Sequence, residues 1–281
     1  MSTGTPDGFI FYRGPSMLDG APIVAIAVRV TSDSKNSKTG ALVQTYILRA
    51  DTDPNEAVRS GLDSSICGSC KHRGWYDRAL RKWRDRSCYV VIAQGPTGVY
   101  GAFERGIYPE ASPEQAADYL ADRLVRLGTY GDPAAVPFHV WHTMLARVAA
   151  KAGYTHQWRV HSELKRYCMA SCDTPEESQQ AIALGWRVFR TRLPFENKLP
   201  GEVVCPASME KNKVTICAAC KACGGTSAKA KASITIIAHG SIGPTKAYHR
   251  TRVRLATLGT RAYAAIAPRH YGAIPLPRKP A

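Results

Sequence analysis

The chain has 281 residues, 44% of them hydrophobic, which is long and apolar enough to bury a full core. It carries a formal net charge of +16 and nine cysteines. No apolar run approaches the length of a membrane span, so no membrane partner is expected, and a positive field of this size favours polyanions.

Taken in chain order, residues 1–21 are rich in Gly and Pro and are expected to be irregular. Residues 22–30 alternate small and β-branched side chains and predict a strand. A polar turn follows over 31–40 and a second strand over 41–49, together a β-hairpin with a long loop. Asp53 and Pro54 predict a capped helix over 55–61. Residues 75–86 are expected to be a short basic helix or a surface insert, and 87–92 a buried strand. Ser112 with Pro113 and Glu114 marks a strong helix start over 112–123. Strands and helices then alternate: strand 124–127, helix 137–151, strand 154–158, short helix 161–166, strand 167–170, helix 174–184 and strand 186–191. This alternation with short loops predicts parallel βα units. A short helix over 228–231, a strand over 233–238 and a basic, loosely structured tail over 243–281, with a short helix near 251–265, complete the reading.

The N-terminal MSTGTPDGFIFYRGPSM has no charged segment leading into a long apolar one, so a cytoplasmic location is expected. Disulfides are rare there, and nine cysteines then point to metal. Three groupings stand out. Cys217, Cys220 and Cys223 form a CxxCxxC run with Cys205 as the natural fourth ligand. Iron–sulfur clusters use such runs, whereas zinc ribbons usually take two separated CxxC pairs, so iron is favoured with zinc as the alternative. Cys67 and Cys70 with Cys88 give three ligands. The fourth position falls to His72, to another cysteine, or to an exchangeable group, and a structural zinc is the competing reading. Cys168 and Cys172 are the weakest pair, since Cys168 also suits a core.

Ligands in a parallel βα array bind at the C-terminal ends of strands. Asp132, His156, Ser171 and Arg192 stand at or near four such ends and are the candidate catalytic residues. Each has an ordinary reading as well: Asp132 precedes Pro133 and fits a turn, and the Asp173–Thr174 pair fits a helix cap. There is no GxGxxG motif, P-loop or nucleophile elbow. The last acidic residue is Glu210, and residues 211–281 hold thirteen Lys or Arg. That asymmetry marks a nucleic-acid-facing segment, with Arg250, Arg252, Arg254 and Arg261 as candidate contacts.

The segments NSKTGALVQTYILR, SICGSCKHRG, SCYV, GTYGDP, GYTHQW, GWRVFR, EVVCPAS, CAACKACGG and AHG, in this order over residues 36–240, resemble an uncharacterised family of bacteriophage and prophage gene products. That family is in turn distantly similar to radical-SAM enzymes. The resemblance implies a bacterial-host cytoplasm and a partial TIM barrel. It implies a main cluster at Cys67, Cys70 and Cys88, an auxiliary site at Cys205, Cys217, Cys220 and Cys223, and S-adenosylmethionine as a candidate cosubstrate. The chain departs from the pattern in lacking CxxxCxxC, of which Cys168 and Cys172 supply only half.

The expected class is therefore α/β: a partial barrel-like parallel sheet with an N-terminal β-hairpin and a Cys-rich C-terminal region. The expected divisions are an irregular 1–21, a core over 22–200 with the first cysteine group, a cluster region over 201–242 and a basic tail over 243–281. The function expected is that of a metal-cluster protein, with a radical-SAM-like enzyme as its sharper form. The alternative is a zinc-stabilised nucleic-acid-binding protein of phage or mobile-element replication.

Overall fold

The computed structural model describes residues 4–32 and 37–252. It begins with three antiparallel strands, β1 (Gly8–Pro15), β2 (Pro22–Val28) and β3 (Val43–Arg49). The first lies in the segment expected to be irregular. Phe9, Ile10 and Phe11 explain the difference: all three are buried, and their apolar area outweighs the flanking Gly and Pro as a local signal. The β2–β3 hairpin is as expected.

After β3 come α1 (Pro54–Ser60), α2 (Ser64–Cys67), a small ribbon of β4 (Trp75–Asp77) and β5 (Lys82–Arg84), α3 (Gly95–Glu104) and α4 (Pro113–Tyr119). Of the two readings of 75–86, the ribbon excludes the short helix and agrees with the surface insert. The expected strand over 87–92 is an extended loop, with Tyr89 and Val91 exposed and no ladder formed. The start of α4 is as read: Ser112 Oγ accepts from Gln115 N at 3.2 Å, and Gln115 Oε1 accepts from Ser112 N at 2.9 Å. Such a capping box contributes about 1 kcal/mol.

The repeating part runs β6 (Leu124–Tyr130), α5 (Phe138–Met144), β7 (Ala150–Thr155), β8 (Met169–Cys172), α6 (Pro175–Ala183) and β9 (Val188–Arg192). It continues with β10 (Glu202–Val204), α7 (Cys217–Cys220) and β11 (Ser233–Ile237), and ends in a helix over 242–252. The helix expected over 137–151 stops at Met144, because residues 149 and 150 already turn back to pair with the β6 side of the sheet. In place of a helix over 228–231 there is a single 3-10 turn, Gly225–Ser227.

The strands form one nine-stranded sheet in the order β1-β2-β3-β6-β7-β8-β9-β11-β10. From β3 to β10 every neighbour is parallel. This is the partial barrel-like α/β fold, with an antiparallel hairpin on its leading edge. A large core packs between helices and sheet. Its anchor is Trp141, fully buried, 5.1 Å from the Phe11 ring and donating Nε1–H to Pro133 O at 2.9 Å. A smaller cluster, Met169, Cys205, Ala207, Ile234 and Ile236, lies under the C-terminal strands.

Two buried arginines organise that second region. Arg190, on β9, is fully enclosed and grips Glu202 of β10 through two bonds, 2.7 and 2.8 Å. It thereby ties strands that do not touch directly, since β11 runs between them. Arg187, just before β9, donates to four carbonyls, those of Ala222, Gly225, Lys231 and Ala232. No helix of the described residues is long and apolar enough to cross a membrane.

Candidate metal centres

The first cysteine group sits in the loop that leaves the C-terminal end of β3. Asp53 caps α1 by accepting from Asn55 N at 2.8 Å, and Gly61, at φ +82°, ends it in the left-handed conformation. The chain then reverses into α2, whose last residue is Cys67. Arg73 fixes the reversal. Its guanidinium donates to Asp63 Oδ1 at 2.6 Å, Gly61 O at 2.8 Å and Gly68 O at 3.2 Å. Gln157, beyond β7, holds the loop from the other side, donating to Cys67 O and accepting from Ser69 Oγ. The seventeen residues between Cys70 and Cys88 are spent on the β4–β5 ribbon. Its return is pinned by Ser87 N and Cys88 N, which both donate to His72 O. All three thiols line one cavity. Burial, Asp63 and the neighbouring thiols raise Cys67 well above an ordinary thiol, and burial and Cys88 raise Cys70.

The second group is gathered from three places. Cys205 follows β10, its N–H donating to Thr235 O at 2.9 Å. Cys217 N and Ala218 N donate to the carbonyls of Lys38 and Thr39, the turn before β3. Gly153 N donates to Cys223 O at 3.1 Å, and the Tyr154 hydroxyl donates to the Cys223 sulfur. Gly225, at φ +61°, lets the loop pass within touching distance of β8: a Cβ there would lie 2.5 Å from Lys165 O and 2.8 Å from Cys168 N. Arg187 clamps the same loop from below. Burial pushes the Cys223 thiol up to about 12. Burial also lowers Lys38, against the opposing pull of Cys205, Cys217 and Cys223, and its ammonium lies 3.1 Å from His239 Nε2.

Both groups open on the same cavity, about 500 Å³, walled by the sheet's inner face with Arg126, Tyr154, Phe189 and Ile236. Two of its polar groups were not singled out by sequence reasoning. Tyr130 lines it, and its buried hydroxyl finds no hydrogen-bond partner among the described residues. Arg126 donates to Tyr89 Oη at 2.7 Å, and its buried Nε finds no partner among the described residues. Tyr130 falls inside the GTYGDP segment, but neither residue has a chemical signature of its own; the inward pleat of β6 selects them.

On the rim beside the first group lies a polar cluster. His72 Nε2 is 3.2 Å from Asp173 Oδ1, and His72 Nδ1 is 2.7 Å from Ser87 Oγ. The His156 ring centroid is 5.1 Å from that of His72. Asp173 also meets Lys71 Nζ at 3.3 Å and the Tyr248 hydroxyl at 3.3 Å. Burial works against the Asp173 charge, but His72 and Lys71 hold its carboxyl well below the usual carboxylate range. Burial, with His72 beside it, pushes His156 down to about 3, so its ring is neutral.

The other sequence candidates divide. Asp132 is buried and accepts from Thr155 Oγ1 and His156 N, both at 2.7 Å, so it braces the end of β7. Ser171 lines the cavity. Arg192 turns away from it to pair with Glu210 and to donate to Glu196 O. Cys168 and Cys172 are fully buried in the main core. Arg252 is buried and paired with Glu196, Arg250 is exposed, and Arg254 and Arg261 lie outside the described residues.

Among the described residues, one set of three or more His, Cys, Asp or Glu has all its ligand atoms within 4.8 Å of one another: His72, His156 and Asp173. The thiols of each cysteine group are spread more widely. Comparison with family models, with curated proteins and with solved structures finds no match.

Proposed function

We propose that the chain is an iron–sulfur protein of radical-SAM-like partial-barrel type, acting on a molecule held in the cavity between its two cysteine groups. One observation carries the reading: seven cysteines from separate stretches of chain all line one cavity on the inner side of a parallel sheet. The CxxCxxC run with Cys205 as a distant fourth thiol favours a polynuclear cluster over zinc, which usually takes two separated CxxC pairs. The three-thiol group follows the first parallel strand, on the rim where open α/β sheets take ligands. A cluster there supplies one-electron chemistry. The residues of this chain position it: Arg73 and Gln157 hold the first loop, Arg187 holds the second, and Tyr154 donates to Cys223.

The test is iron, sulfide and visible absorption on protein purified without oxygen, followed by equilibrium dialysis against S-adenosylmethionine. Brown protein is expected. Cys70→Ser and Cys220→Ser should each remove the iron of one group and leave that of the other. Colourless protein holding zinc would defeat the reading. It would favour the alternative, a zinc-stabilised nucleic-acid-binding protein, for which the thirteen basic and no acidic residues of 211–281 are the specific observation. That alternative predicts binding that falls steeply with salt.

A further inference from the structure

We propose that His72, His156 and Asp173 form a mononuclear divalent-metal site, separate from both cysteine groups, with its open side on the cavity. The three come from three elements: the 3-10 turn Lys71–Arg73, the residue after β7, and the residue after β8. Their ligand atoms already lie within 4.8 Å of one another. Two imidazoles and one carboxylate on one side of an ion, with the other side open, is a donor set that suits iron(II), cobalt(II) or zinc(II).

The surroundings hold each ligand in place. Ser87 Oγ takes the Nδ1 side of His72; with the proton on Nδ1, the Nε2 lone pair faces Asp173 and His156. Such an outer hydrogen bond is what fixes the tautomer of a ligating histidine. Asp132 anchors His156 by its backbone N–H at 2.7 Å, and the His156 ring takes no hydrogen bond among the described residues. The ring lines the cavity, edge-on to His72. Asp173 is oriented through Lys71 on Oδ2 and the Tyr248 hydroxyl on Oδ1. Lys71 is itself shared with Glu177 at 2.8 Å, so its charge is partly met elsewhere. On metal binding the ion replaces any proton held between His72 Nε2 and Asp173 Oδ1, and that proton goes to solvent. A plain structural role, a His–Asp ion pair with a second ring packed on it, uses the same atoms, and metal decides between them.

The probe is cobalt(II), added without oxygen to the full chain as purified, with its thiol sites filled. One cobalt beyond that displaced into the thiol sites is expected. It should show no sulfur-to-metal charge transfer, and pulsed electron paramagnetic resonance should report two imidazole nitrogens. His156→Ala and Asp173→Asn should abolish it while leaving iron content unchanged. Ser87→Ala should weaken it by about 10- to 100-fold. The nitrogen signal is read on the unmodified protein, so a misfolded variant does not blunt the test. Absence of the extra cobalt, or its retention in both variants, overturns the proposal. Iron content is read separately, so loss of the cluster reading and loss of this site are distinct results.

Discussion

Arg187 is the residue on which the second cysteine loop depends, and its removal has a calculable effect. Its guanidinium satisfies the carbonyls of Ala222, Gly225, Lys231 and Ala232, all on the segment that runs from Cys220 past Cys223 into β11. Methionine would keep most of the stem's packing and none of the donors. A buried carbonyl left without a donor costs about 1–3 kcal/mol. The Gly225 carbonyl is fully enclosed and would keep only a long bond from Ala228 N at 3.4 Å, and the other three are partly enclosed. Allowing water to reach two of them, Arg187→Met should cost about 2–4 kcal/mol. For a chain of this length that lowers Tm by roughly 5–15 °C. The loop should loosen first, so the iron of the second group should fall while that of the first holds. Calorimetry with iron and sulfide analysis, against Arg187→Lys as control, reads both effects. A variant melting within about 2 °C of the parent and keeping all its iron would refute the reasoning.

Three further outcomes follow from the same geometry. Glu202→Leu strands the fully buried Arg190 charge, with only Glu196 at 3.6 Å left to it, and should cost about 3 kcal/mol in urea unfolding. Tyr154→Phe removes the hydroxyl donor to the Cys223 sulfur; loss of a bond worth about 1 kcal/mol should lower the midpoint potential of a cluster there by about 40 mV in a redox titration. His156, held near 3 when folded, takes up a proton at about 6.5 when unfolded. Stability of chelator-treated protein should therefore fall as pH drops below about 6.5, by about 1–2 kcal/mol at pH 5, and His156→Gln should flatten that slope. Asp173, held low instead, contributes its own loss only below about pH 4.

Local chemistry made much of this molecule legible. The Ser112 capping box, the β2–β3 hairpin and the alternation from residue 124 onward are written in short-range pattern, and each is found. The seven candidate ligand cysteines are visible for the same reason, being close in sequence and rare in type. What escaped is set by tertiary context. The strand Gly8–Pro15 hides behind glycine and proline, and the exposed run around Tyr89 looks like a buried strand because its residues are apolar. Arg252, read as a nucleic-acid contact from charge alone, packs inward on Glu196. Arg187 and Tyr130 sit inside the GWRVFR and GTYGDP segments but, like Arg126, have no chemical signature of their own, since their roles depend on where a sheet folded from distant segments aims them. Asp173 reads equally as the lead-in to a helix cap, and only the approach of His72 from a hundred residues away distinguishes it.

The order of strands at the trailing edge bears on how the protein is made. As the chain emerges during synthesis, β10 appears before β11, yet the mature sheet seats β11 between β9 and β10. Until β11 arrives, β10 has no sheet neighbour, and Arg190 can reach Glu202 only across an empty lane. The loop carrying Cys205, Cys217, Cys220 and Cys223 stays unclosed over that interval. Docking of β11 then supplies Thr235 O as the acceptor for Cys205 N and brings β10 into the sheet, so the fixed positions of these four thiols are a late product of folding.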